Sequence, residues 1–279
     1  MNLKVIKGPL AIILGLCLMT ALTPSMANAF TDLTISGNIT FDDGNTFADD
    51  TATGTGSMDV VSGGVPSSTS FDGTGSFTGV NPLTGNLTAV GDGFGGTAAF
   101  TGADFSEFLT GWDLQLDLGN SSGTESYQIS FQVDYDNEVD SSGPDAYGRS
   151  EFFVGTSFGG DDIFATYLSS DTLNGNENTD GSASGFGGLL AESGSFFFDL
   201  ILNPGDSTSL FGFWNLEGGV FDDADPGTAF ASIDSFISIT GVENLTAPPA
   251  PIPEPSTVAL LGLGLAGLGI MAHRRRKNS

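Results

Sequence analysis

The chain has 279 residues, 34 of them acidic and seven basic, a formal net charge of −27, and 41 glycines. A field of that sign repels phosphate backbones and anionic headgroups, which excludes nucleic-acid binding and makes cations the natural counterions. Cys17 and His273 are the only cysteine and histidine, so residues 30–252 cannot assemble a Ser-His-Asp or Cys-His nucleophile or a zinc site built on imidazole or thiolate.

Lys4 and Lys7 precede an apolar stretch over 10–22, and Ala27-Asn28-Ala29 places small residues at the two positions a signal peptidase reads. Residues 1–29 are therefore expected to be a signal peptide, cut before Phe30. Leu16 stands where a lipobox needs a small residue, so Cys17 leaves with that peptide and the mature chain forms no disulfide. Residues 30–247 form one expected exported domain, long enough for a substantial core. From 30 to 252 there are 33 acidic residues against Arg149 alone, a formal charge of −32.

Within the domain, alternation with period two is the main signal. Over 33–41 the apolar positions begin it, and weaker candidates follow at 56–61 and 70–78. The segment 51–102 is thin in large apolar residues and dense in Gly, Thr and Ser, which predicts edge strands and loops there. In 112–118, Trp112, Leu114, Leu116 and Leu118 share one face with Asp113, Gln115 and Asp117 on the other, as a half-buried strand requires. Tyr127, Ile129, Phe131, Val133 and Tyr135 repeat that pattern. Further strands are expected at 149–154, 163–168, 195–202, 209–214 and 229–240, separated by Gly, Asn, Asp and Pro clusters. Ten or so short strands without helical periodicity predict an all-β, antiparallel two-sheet sandwich or jelly roll.

Oxygen ligands for a hard cation such as Ca²⁺ occur in two patterned clusters. Asp134, Asp136, Glu138 and Asp140 alternate, although Val139 occupies the position a calcium loop gives to glycine. Asn176, Asn178 and Asp180 precede Gly181 in the manner of the first half of such a loop, but Gly187 stands where its bidentate glutamate belongs. Asp42-Asp43-Gly44-Asn45 and Asp222-Asp223-Ala224-Asp225 read as turns. A lectin-like surface would draw on Trp112, Trp214, Tyr135, Tyr147 and Tyr167, which otherwise are core or interface aromatics. A pair of carboxylates would serve a glycoside-active enzyme, but nothing in the sequence selects the pair.

Pro248-Pro249-Ala250-Pro251-Ile252 is an extended spacer of about 3 Å per residue. Pro253-Glu254-Pro255 then cannot continue a helix or a strand and stays open to an enzyme. The 17 residues of 256–272 are apolar and Gly/Leu-rich, and as a helix they reach about 25 Å, a short membrane span. Arg274, Arg275, Arg276 and Lys277 close the run and should stay cytoplasmic, which leaves everything before it outside.

This three-part tail, over residues 253–279, resembles the PEP-CTERM sorting signal of Gram-negative bacteria. The resemblance implies export, a transient inner-membrane precursor and processing by exosortase, with Pro253, Glu254 and Pro255 as the recognition motif. It further implies a bacterium that makes exopolysaccharide, and surface or biofilm partners. The expected role is structural or adhesive and non-enzymatic; alternatives are a carbohydrate-binding module, with or without Ca²⁺, and a glycoside-active enzyme.

Overall fold

In a computed structural model of the chain, residues 32–41, 47–48, 51–76, 82–156, 162–222 and 225–246 are described. The expected signal peptide and its expected cleavage site at Ala27 and Ala29, Asp42 to Asn45, Asp223 and the whole tail from the proline spacer onward lie outside them.

Among the described residues every strand pairing is antiparallel, and the strands make two sheets, as the alternation predicts. One has ten strands, numbered here in chain order: β1 (Leu33–Phe41), β2 (Phe47–Ala48), β5 (Gly75–Ser76), β6 (Leu83–Asn86), β8 (Ser106–Asn120), β10 (Ala146–Gly155), β11 (Asp162–Asp171), β12 (Glu177–Asn178), β13 (Gly181–Ser182) and β15 (Ser207–Val220). Its main order is β13-β12-β11-β10-β15-β8-β1-β6. The other contains β3 (Thr53–Ser62), β4 (Val65–Gly73), β7 (Gly93–Ala103), β9 (Tyr127–Ser142), β14 (Leu190–Leu202) and β16 (Thr228–Asn244), in the order β14-β9-β16-β7-β3-β4.

Period-two alternation fills the space between the sheets. Trp112, Leu114, Leu116 and Leu118 are buried from β8, and Ile129, Phe131 and Val133 from β9, with their polar neighbours turned outward. The aromatic rings form a continuous chain through this core. It runs from Phe108 through Phe100, Phe71 and Phe41 to Trp112. There the two indoles stack with centroids 6.1 Å apart, and Trp214 passes the contact to Phe152 at 4.8 Å. From Phe152 the rings continue through Phe164, Phe196 and Phe198 to Phe131. Offset contacts of this kind add to area burial by roughly 0.5–1.5 kcal/mol each.

The expectation of edge strands and loops over 51–102 is corrected by β7. It lies inside its sheet between β16 and β3, and Phe94, Ala98 and Phe100 are buried in the core. Its glycines disguise it. A Cβ on Gly96 would stand 2.7 Å from Nε1 of Trp112, so the bare backbone makes room for the indole that the facing sheet contributes. A strand whose volume is supplied by its neighbours reads as a loop by composition.

Two polar residues pin turns at one end of the sandwich. Asp92 is fully buried and accepts the backbone N–H groups of Gly63, Gly64, Thr88 and Ala89 at 2.7–2.9 Å. Gly63 and Gly64 have φ of 59° and 75° and make the β3–β4 hairpin turn, the conformation a two-residue hairpin loop requires. Near the same end Asn120 donates to the carbonyls of Glu125, Leu202 and Asn203 and accepts from Ser122 N–H.

Candidate functional site

The open face of the six-stranded sheet carries the densest set of polar groups. Cross-strand register aligns Ser193, Asp136, Asp234, Thr97, Ser57 and Ser70 in one row over β14, β9, β16, β7, β3 and β4. Asp134, Phe236, Gly95 and Asp59 make a neighbouring row, and Glu138, Ser232, Ala99, Thr55 and Asp72 the row on the other side. Small side chains in the middle strands leave a shallow trough of about 530 Å³ bordered by Asp72, Asp136, Glu138 and Asp234.

Asp136 and Asp234 stand directly opposite one another. Partial burial raises the Asp234 carboxyl above the ordinary range, and repulsion from Asp136 and Asp59 adds to it. Other acids are already engaged. Asp134 accepts from Gln132 Nε2 at 2.7 Å and from the Ser195 hydroxyl, and Asp59 accepts from Ser57 at 2.8 Å.

The sequence candidates for a cation therefore fall in two different settings. Asp134, Asp136, Glu138 and Asp140 lie along the straight strand β9, all on its outer face, where six residues of strand extend about 20 Å. They form a row instead of a loop around one ion, and Val139 is buried in the core between them. Asn176 is buried and spent on the fold: its Oδ1 accepts from Asp171 N–H at 3.1 Å and its Nδ2 donates to Gly187 O at 2.9 Å. Asn178 Oδ1 accepts from Asp180 N–H at 3.1 Å across the small β12–β13 hairpin. Among the described residues no three of His, Cys, Asp and Glu come together at metal-binding separation.

That hairpin faces a residue the sequence reading missed. Glu192 accepts from Thr179 Oγ1 at 2.7 Å and, at 3.4 Å each, from Thr166 Oγ1 and the Tyr135 hydroxyl. With Asn178, Thr179, Asp180, Leu168 and Leu190 it borders a cavity of about 350 Å³ at the mouth of the sandwich. Parity was the available signal, since Glu192 shares its face of β14 with Leu190, Phe196, Phe198 and Leu200.

The aromatic candidates do not form a platform. Trp112 and Trp214 are buried in the core. Tyr135 packs on Phe164 at 4.9 Å, and Tyr147 stacks on Phe221 at 5.8 Å. Tyr167 lies under the guanidinium of Arg149, 4.9 Å from its centroid, while Arg149 bonds Glu217 at 2.9 Å and Glu151 at 3.1 Å. Three half-buried aromatics, Phe153, Phe211 and Phe213, do meet on the outer face of the ten-stranded sheet. They line a groove of about 350 Å³ with Ala165 and Gly212, bordered by Glu151 and Asp162.

An antiparallel sandwich with acidic outer faces and a separate C-terminal tail defines the class. Residues 251–276 match the PEP-CTERM protein-sorting motif, so the tail is that sorting signal, and the chain is an exported protein processed by exosortase from a membrane-anchored precursor. No curated protein matches the sequence. Solved structures of the VP2 protein of infectious bursal disease virus align only loosely. Its subviral particle is 10% identical, with 87% of this chain and 73% of that one covered at a TM-score of 0.16. The Gt strain is 9% identical, with 86% and 73% covered at 0.17. Likenesses this weak carry no inference.

Proposed function

We propose that the protein is a structural or adhesive component of the bacterial surface or extracellular matrix, associated with exopolysaccharide and without enzymatic activity. Signal peptidase removes residues 1–29, the apolar run and basic cluster hold the precursor in the inner membrane, and exosortase acts at Pro253-Glu254-Pro255. The observation that carries this reading is the sorting tail at residues 251–276. The domain it delivers supports the non-enzymatic role, because residues 30–252 contain no His or Cys and the carboxylates gathered in the trough, Asp72, Asp136, Glu138 and Asp234, lie on an open sheet face where water is not excluded. Replacing Pro253, Glu254 and Pro255 by Ala is expected to leave full-length precursor in the inner membrane. Unchanged mature mass and localisation would overturn the sorting role.

A second reading, carbohydrate binding, is favoured by the Phe153–Phe211–Phe213 groove. Aromatic faces stack against sugar C–H groups, and the carboxylates of Glu151 and Asp162 accept hydroxyl hydrogen bonds. On that reading a neutral oligosaccharide such as chitohexaose binds, and Phe213→Ala weakens it about tenfold, the equivalent of about 1.4 kcal/mol. Absence of binding across a glycan panel at millimolar concentration would dismiss it, and release of reducing ends would instead reveal glycoside cleavage.

A further inference from the structure

The six-stranded sheet ends on one side in an unguarded strand. β14 runs 13 residues, pairs with β9 along its whole length without a register shift, and has no strand on its other side among the described residues. An edge of this kind presents a row of backbone donors and acceptors, which folded proteins normally blunt with short strands, prolines, lysines or bulges. The remaining sheet ends follow that rule. β13 and β6 have two and four residues, and β4 carries Pro66. β14 contains no proline, lysine or arginine, and its outer face exposes Phe197 and Ile201, at 62% and 56%. Its one inward carboxylate, Glu192, is already held by three hydroxyls.

We propose that β14 is an interface on which a second copy of this chain docks, β14 against β14 in antiparallel register about a two-fold axis at Phe196. The occupant follows from the charge pattern. The domain's formal charge of −32 opposes association of two copies almost anywhere on its surface. Along β14, however, this register brings no two carboxylates face to face. Asp199 meets Ser193 of the second copy, Glu192 meets Leu200, Phe197 meets Ser195, Ile201 meets Ala191, and Phe196 meets itself. The pattern is self-complementary, as an isologous contact requires, and the backbone hydrogen bonds join two six-stranded sheets into one, the strand-addition mode of recognition. Flanking acids still repel, so salt should strengthen the dimer, the Debye length falling from about 10 Å at 0.1 M to about 3 Å at 1 M.

The test is sedimentation equilibrium of the full chain in detergent, in a Cys17→Ser background so that introduced thiols are the only ones. A dimer fraction that rises with NaCl is expected, together with its loss in Phe197→Asp/Ile201→Asp, whose far-ultraviolet spectrum should match the parent because both side chains already face solvent and whose melting temperature should match that of the parent diluted to monomer. Ser193→Cys/Asp199→Cys should form an oxidised covalent dimer, since the two positions are opposite across the axis but about 20 Å apart within one strand. A monomer at all concentrations and salts would overturn the proposal. So would a dimer that ignores Phe197→Asp/Ile201→Asp and yields no cross-link, which would place the contact in the membrane tail or on another face.

Discussion

Asp92 shows how one carboxylate fixes two turns. Burial pushes its pKa up, but the N–H groups of Gly64, Thr88, Gly63 and Ala89 outweigh that and hold it below the usual carboxylate range. A depressed folded pKa gives stability that is present above the unfolded value near 3.8 and is lost as the pH falls through the folded one. Asp92→Ala leaves four part-buried backbone donors without this acceptor and is expected to cost about 1–3 kcal/mol in chemical denaturation at pH 7. The difference from the parent should shrink at acid pH as Asp92 protonates. Asp234 has the opposite sign: its raised carboxyl is a repulsive charge at neutral pH, relieved as the pH falls through its folded value.

At the level of elements, the strands rich in large apolar residues were legible and the glycine-rich ones were not. The alternation in 112–118 and 127–135 marks the central parts of β8 and β9, although both strands extend further into segments where Gly, Ser and Asp replace the apolar residues. β7 was invisible because Gly95, Gly96 and small residues separate its two core aromatics, Phe94 and Phe100, so that backbone fills positions where alternation shows a side chain. Gly96→Val tests this account. Its side chain would collide with Trp112 and with Ser57 O, 2.8 Å from the first added carbon, and the expected cost is about 2–3 kcal/mol, read from the shift of the denaturation midpoint. Trp112→Leu in the same chain should recover part of it, whereas simple additivity would mean that Gly96 matters for another reason. The polar face was illegible for a different cause. Ser57, Thr97, Asp136, Ser193 and Asp234 come from five strands, and only the pairing register places them in one row. Local patterns such as Asp134 to Asp140 predicted a loop because alternating acids suit a calcium loop and an outward strand face equally well.

For the whole molecule, the sequence was most informative at its ends and least informative between them. The sorting motif at residues 251–276 and the expected signal peptide are both linear patterns, which one chain displays without folding. The domain between them acts through surfaces, and its charge, aromatic groove and open β14 edge depend on how distant strands meet. Arg149 is the one cation in residues 30–252 and is enclosed by Glu151, Glu217 and Tyr167, so the exported surface offers partners almost uniform negative charge. The sorting tail explains how such a protein reaches the cell surface, and its removal is the central claim. Intact-mass measurement of the protein recovered from the producing cell's surface or medium tests it most directly. The expected mass begins at Phe30 and lacks the apolar run and the arginine cluster that follow Pro255. A recovered protein that retains residues 256–279 would contradict the account.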